Sequence, residues 1–315
     1  MKAAFALVVV GLAGVAAAQP KPKTGLVERS RLEVAPGGRP IKQLTIENPL
    51  GDIKVEGYDG QSILIETTKT APDEEALDRL RVSLIPNPDG TVRILTAADG
   101  GKEIKPLSRG AVKIDLVIRA PRDARIDAAV SAGSLTVVNM DAGGDLDTGS
   151  GPISVRNVAG AVSTSAVSGT TSLTQVFGSV EAQSLASDVE LDTIGGERLV
   201  ASANKGKIAG RRVRARDVEL TTTDGKISLE AESSLRGRMV VASLRGDIDV
   251  KLRRHGVVIV RARGAKLSLG SSMASAKARS DGWVEGQLGG FKPSTQAAII
   301  ELRSRYGMVQ FAVIE

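Results

Sequence analysis

Cysteine is absent from this chain of 315 residues. That excludes disulfides, a thiolate metal site and a cysteine nucleophile. Aromatic residues make up only 2%, with one Trp, two Tyr and four Phe. Conventional cores draw much of their buried area from aromatics, so a thin core of small aliphatic residues is expected. Histidine occurs once, as His255 between Arg254 and Gly256. Any His-containing dyad or triad would need it, and its place beside a glycine reads as an exposed turn. There is no Gly-x-Ser-x-Gly with a usable His partner, no His cluster of metal-binding type and no P-loop lysine. No cofactor is expected.

Apolar runs long enough to matter occur only at the N-terminus. Lys2 supplies a positive start, Ala3 to Val15 an apolar stretch, and Ala16-Ala17-Ala18 a small-residue cleavage site before Gln19. This pattern predicts a signal peptide over 1–18. The alternative is an uncleaved anchor, for which the run is short against a span of ~20 residues. Without a nearby cysteine, a lipidated N-terminus of the bacterial lipoprotein type is excluded. The mature chain is therefore expected to be soluble, in the periplasm or outside the cell, with no transmembrane segment.

What is present is a repeat from Ser131 to Leu269. Gly133, Gly151, Gly169, Ser187, Gly206, Gly225, Gly246 and Gly264 open successive rows, at steps of 18, 18, 18, 19, 19, 21 and 18 residues. A fixed period of this length is the signature of a solenoid. In the second row Ile153 and Val155 alternate with Ser154 and Arg156, and after Gly160 Val162 and Thr164 alternate with Ser163 and Ser165. Period-two alternation predicts strands, and the glycines supply turns. The 35 glycines are thus periodic and do not signal disorder. The expected fold is all-β: a single-stranded parallel β-helix of about 18 residues per coil, right-handed by default, since stacked coils bury what one coil cannot.

The remaining segments flank this stack. Residues 19–30 read as a linker, and 31–130 as a β-rich N-terminal cap. The cap has strands at Leu32–Val34, Leu44–Ile46, Ile53–Val55 and Ile63–Ile65, and a hairpin around Asn87-Pro88-Asp89-Gly90. Pro72 to Leu80 carries the one convincing helix signal. Residues 131–315 form the solenoid, with Ala298–Leu302 and Gly307–Phe311 as its last coil and closing cap.

Charge is uneven along the rows. Residues 131–200 hold eight acidic residues against Arg156 and Arg198. Beyond Lys205 the balance reverses, with Arg211, Arg212, Arg214, Arg216, Arg236, Arg238, Arg245, Arg253, Arg254, Arg261 and Arg263. If coils stack these into a stripe, it would attract an anionic partner such as surface polysaccharide or lipid head groups. The competing reading is a solvated face that keeps the stack soluble. Few aromatics argue against single-stranded nucleic acid. The pairs Asp145/Asp147 and Asp247/Asp249 could be calcium ligands or a hydrolytic carboxylate pair, or simply outward polar positions of strands.

Three segments carry a family resemblance: Ile46 to Gly60 with its Gly51-Asp52-Ile53-Lys54-Val55 phrase, Val112 to Pro121, and the Ser-Gly rows from Ser131. In these the chain resembles the exported bacterial family known as putative adhesins, a β-strand-repeat domain of unknown function. The resemblance implies a β-helix with a non-catalytic surface or envelope role, and no catalytic motif to carry over. The expected function is an adhesive or structural module of the cell envelope that binds through its outward coil faces, possible partners including an envelope protein. The alternative is a β-helix lyase or hydrolase acting on polysaccharide through outward Asp and Arg. A scaffolding or sensing role beside a membrane partner is a third reading.

Overall fold

A computed structural model describes residues 25–35, 39–98, 112–290 and 297–314. The expected signal peptide and most of the expected linker lie outside these residues. The chain is all-β. Among the described residues twenty-five strands join in one mixed sheet, and helix is limited to Glu74–Asp78 and a 3-10 turn at Ser271–Met273.

The N-terminal block holds β1 (Leu26–Val34), β2 (Gln43–Asn48), β3 (Ile53–Tyr58), β4 (Ile63–Ala71), β5 (Leu80–Pro86), β6 (Thr91–Ala98) and β7 (Lys113–Pro121). β1 starts inside the stretch expected as a linker, because Leu26 to Val34 pair with β4 along their whole length. The helix is shorter than its signal. Asp73 caps it by accepting from the Ala76 amide at 2.8 Å, and β5 begins at Leu80.

The middle block holds β8 (Arg125–Ala132), β9 (Leu135–Met140), β10 (Gly144–Ser150), β11 (Ile153–Ala159), β12 (Val162–Ser168), β13 (Thr171–Phe177), β14 (Val180–Ser184), β15 (Val189–Ala203), β16 (Ile208–Thr222), β17 (Ile227–Glu232), β18 (Arg238–Ser243) and β19 (Ile248–Arg253). These form two parallel ladders. In the first, Leu146 of β10 faces Ala128 of β8 on one side and Thr164 of β12 on the other. In the second, Val155 of β11 faces Val137 of β9 and Leu173 of β13. Each partner is 18 residues away, so the sequence period is the hydrogen-bond register. Alternation puts Ile153, Val155, Leu173 and Leu191 inside and Ser154, Arg156 and Glu190 outside.

Close backbone approach explains the row-opening glycines. A Cβ built on Gly225 would lie 1.7 Å from the carbonyl oxygen of Gly206, and one on Gly151 would lie 2.0 Å from that of Gly133. Beside this column runs a column of buried hydroxyls three residues ahead. Thr222 accepts from the Gly225 amide at 3.0 Å, Ser243 from Gly246 at 2.7 Å and Ser304 from Gly307 at 3.0 Å. Ser304 also donates to the Gly246 carbonyl at 2.8 Å. A third column is left-handed without glycine: Asn139, Asn157, Gln175, Thr193 and Arg212 have φ of 61°, 53°, 55°, 57° and 52°. At each of them the inside–outside alternation shifts phase, so that Val155 and Val158, three residues apart, are both buried. Asn157 donates to the Asn139 side chain at 2.8 Å. The column stops at Arg212, where the register between β16 and β17 shifts between Gly210 and Val213.

The C-terminal block holds β20 (Val258–Arg263), β21 (Lys266–Leu269), β22 (Lys277–Ala278), β23 (Val284–Leu288), β24 (Ala298–Ser304) and β25 (Met308–Ile314). At both ends the spatial order departs from chain order. β2 and β3 lie between the β6/β7 and β8/β9 rows. β24 and β25 lie between the β18/β19 and β20/β21 rows. The segment expected to close the stack is therefore one row inward. The chain runs past the vacant slot, builds β20 and β21, and returns to fill it.

The expectation of a parallel β-helix over 131–315 needs correction, because the sheet is mixed there as well as in the cap, where the hairpin signal already implied antiparallel pairing. β1–β4, β4–β7, β5–β6, β20–β23 and β22–β23 are antiparallel. Tight turns such as Asn87–Gly90 can join only antiparallel strands. These strands all lie toward the ends, where β4 covers β7 and β23 covers β20, and they shield edges that would otherwise recruit other chains.

Candidate functional site

The outward surfaces of the two ladders carry most of the charged side chains. On the first ladder one outward column reads Asp127, Asp145, Ser163, Glu181, Val200, Glu219, Val240, Glu301, Arg261. The next reads Ala129, Asp147, Ser165, Gln183, Ser202, Thr221, Ala242, Arg303, Arg263. The second column is acidic at one end, lined with uncharged polar side chains in the middle and basic at the other end, whereas the first keeps Glu181 and Glu219 in its middle. On the second ladder Asp192, Arg211, Glu230 and Lys251 lie in adjacent rows with alternating sign.

The predicted arginines do not form one stripe, because the register interleaves them with carboxylates. Arg214 meets Glu232 at 2.9 Å, Arg216 meets Glu197 at 3.3 Å and Arg238 meets Glu301 at 3.4 Å. Arg253 lies 3.6 Å from Glu232. Arg261 is held between Glu285 at 3.0 Å and Glu301 at 3.6 Å. Arg212 pairs with Asp192, and Arg245 with Asp224. Arg254 donates to the Gly256 carbonyl at 2.6 Å. Burial works against the Glu232 charge, but Arg214, His255 and Arg253 outweigh it and hold the carboxyl below its usual range. Among the described residues Arg211, Arg236 and Arg263 make no ion pair.

The two acidic pairs fall on different ladders. Asp145 is bound by Arg125 at 2.7 Å. Asp147 has its carboxyl pushed up by burial and by the neighbouring Asp145 charge, against a hydrogen bond from Ser165. Asp249 faces Ser228 and Gln310 on the second ladder. Asp247 accepts the Met308 amide at 2.8 Å, so its carboxylate fixes the inserted β25 in register. His255 sits at an exposed turn with its Nε2 3.5 Å from Glu232, and its amide donates to Ser233 at 2.7 Å. No group of three His, Cys, Asp or Glu among the described residues could hold a metal ion. No helix of the described residues is long and apolar enough to cross a membrane.

The sequence reading missed Arg303 and Arg305. Both lie on or just after β24, the inserted strand, which brings Arg303 into register with Arg263 of β20. The available signal was Ser304-x-x-Gly307, which has the spacing of Ser243-x-x-Gly246 and marks 304–307 as the opening of a further row. With Trp283 these arginines line a concavity of about 750 Å³.

No family model matches the chain, and no curated protein matches it. Solved structures do. One is a "putative cell adhesion protein" from Clostridium sporogenes, 9% identical, matched over 92% of this chain and 100% of its own, with a TM-score of 0.26. Another is a "putative adhesin" from Parabacteroides merdae, 10% identical over 91% and 96%, with a TM-score of 0.41. A third is a "putative lipid binding protein" from Parabacteroides distasonis, 11% identical over 91% and 96%, with a TM-score of 0.38.

Proposed function

We propose that the chain is an exported, non-catalytic binding module whose two parallel ladders form the walls of a right-handed β-helix, and that it binds through their outward faces. The observation that carries this reading is the pair of ladders in 18-residue register, faced with columns of short polar and charged side chains. Rigid columns of this kind suit an extended partner lying across several strands. Residues 31–130 act as the cap of this helix and 131–315 as its body, with 1–18 removed on export near Ala18. The destination is the periplasm or the cell exterior, where the partners on offer are anionic polysaccharide, lipid head groups and envelope proteins.

The enzymatic alternative finds less support. The two Asp pairs are divided between the ladders, and Asp145 is already held by Arg125. A panel of surface glycans and lipids probed with the purified chain tests the binding reading. Saturable retention by at least one class of envelope component is expected. Retention by none, together with turnover of any polysaccharide on the panel, would replace the binding module with the enzyme.

A further inference from the structure

We infer that the concavity between β18, β24 and the β22–β23 hairpin is a binding site for an anionic saccharide, with Arg303 and Arg263 gripping its carboxylate or sulfate group. The inference rests on the reading of the chain as a module that binds through its outward faces, and it names one site and one ligand class.

The argument starts from a charge left uncompensated. Arg263 and Arg303 are directly opposite on neighbouring strands, which are ~4.8 Å apart in any sheet. Like charges in that relation destabilise a sheet unless something lies between them. Elsewhere the chain supplies that something: Glu301 stands between Arg238 and Arg261, and Glu285 engages Arg261 and Arg279. Here it does not. Among the described residues Arg263, Arg303 and Arg305 have no carboxylate partner. Arg305 lies with its guanidinium 5.3 Å from the centre of the Tyr306 ring. All three arginines are exposed, and all three line the same concavity of about 750 Å³. Guanidinium groups are planar forks that match an oxyanion in two-pronged fashion. Two forks one strand apart can hold one carboxylate or sulfate from both sides.

The walls favour a sugar as the carrier of that group. Trp283, the one tryptophan of the chain, lines the concavity. The hairpin turn brings it there: a Cβ on Gly282 would lie 3.7 Å from Arg263 Nε. Trp offers both an apolar ring face and an N–H donor, which suits a sugar ring and its hydroxyls. Leading away from the arginines, the same outward column continues as Ala242, Thr221, Ser202, Gln183 and Ser165. These side chains are short and mostly able to hydrogen-bond, so the face continues as a polar track. The adjacent column sets Glu219 and Glu181 beside this track, and Asp145 and Asp147 close its far end, so carboxylates repel an anionic group everywhere on the face but at the arginines, which fixes where it docks. A bilayer, by contrast, meets a recessed site poorly, because head groups lie in a plane.

The test is a titration of the full chain with polygalacturonate for the carboxylate arm, dextran sulfate for the sulfate arm, neutral dextran, and phosphatidylglycerol vesicles, following Trp283 fluorescence and heat. Binding of one of the two anionic polymers is expected, with a change in Trp283 emission and no response to neutral dextran. R303S and R263S should each weaken it about tenfold, the effect of removing one charge-assisted contact. R238S, which removes an arginine already paired with Glu301, should stay within about twofold and keeps nonspecific charge effects in check. Equal affinity of R303S, R263S and wild type would overturn this site while leaving outward-face binding intact. Response to vesicles alone, or to neutral dextran as strongly as to the charged polymers, would overturn the ligand class. Silence with every probe here, joined to silence on the wider glycan and lipid panel, would remove the binding module and this site with it.

Discussion

The buried hydroxyl column gives a pair of substitutions with opposite signs. Ser304 is 3% exposed and makes two bonds, accepting from the Gly307 amide at 3.0 Å and donating to the Gly246 carbonyl at 2.8 Å. The second bond ties the inserted β24/β25 row to the β18/β19 row. Ser304→Ala leaves the buried Gly307 N–H without a partner, at about 1–3 kcal/mol, and removes the second bond, worth about 1 kcal/mol net. The expected loss is about 2–4 kcal/mol. Ala203 occupies the same column, in register with Ser184 and Thr222. It is 3% exposed. There the hydroxyl is missing, and Gly206 lacks the side-chain acceptor that serves Gly225, Gly246 and Gly307. Ala203→Ser should supply it and gain about 1 kcal/mol. Urea unfolding followed by far-UV circular dichroism reads both changes as shifts in midpoint at constant slope. An S304A variant within about 0.5 kcal/mol of wild type, or an A203S variant with a lowered midpoint, would refute the role given to this column.

Gly225→Ala should cost more than any surface change, because its Cβ would sit 1.7 Å from the Gly206 carbonyl oxygen; loss of soluble folded protein, or a fall of about 3 kcal/mol or more, is expected in the same assay. Gln175→Asn should raise stability by about 0.5–1 kcal/mol, since asparagine tolerates the left-handed φ of 55° better and would extend the Asn139–Asn157 ladder. Asp52 predicts an acid limb. Burial disfavours its charge, but hydrogen bonds from Lys113 and the Ser134 amide outweigh this and hold the carboxyl below its usual range. A depressed folded pKa means that its stabilisation is full above the unfolded value and fades as pH falls through and below that value. Thermal midpoints of wild type should therefore drop below about pH 4, and Asp52→Asn should flatten that part of the profile. An unchanged profile in D52N would assign the acid limb to other carboxylates.

The rows were legible because their period is physical. Eighteen residues separate hydrogen-bonded partners such as Leu146 and Thr164, and the glycine that opens each row sits against the carbonyl of the one before it. The hairpin at Asn87–Gly90 was legible for a similar reason: Gly90 takes a φ of 91°, which its Asn-Pro-Asp-Gly context announces. What spacing could not show is which rows are neighbours. Gly264 follows Gly246 by 18 residues, yet it is Gly307 whose Cβ would lie 2.3 Å from the Gly246 carbonyl. A period counts positions along the chain, whereas insertion of β24 and β25 reorders them in space. The arginine stripe failed for a related reason. One-dimensional charge density beyond Lys205 is high, but parallel register sets Glu232, Glu301 and Asp224 against Arg214, Arg238 and Arg245.

The two out-of-order rows place the distinctive chemistry of the molecule. A stack laid down strictly in chain order would put β20 against β18, and Arg263 would then face Ala242 and not Arg303. Because β24 takes that slot, Arg303 arrives in register with both Ala242 and Arg263. The hairpin that follows β21 folds β23 antiparallel onto β20 and carries Trp283 to the same edge. Two events of topology, and no motif in the sequence, thus gather at one place the one tryptophan and three arginines that have no carboxylate partner among the described residues. At the opposite end the insertion of β2 and β3 yields a closed network, in which Asp52 binds Lys113 at 2.6 Å and the Ser134 amide at 2.6 Å. The same device is electrostatically satisfied at one end and left positive at the other. Stability alone would favour satisfaction at both, so the end that keeps its charge is where a partner should be sought.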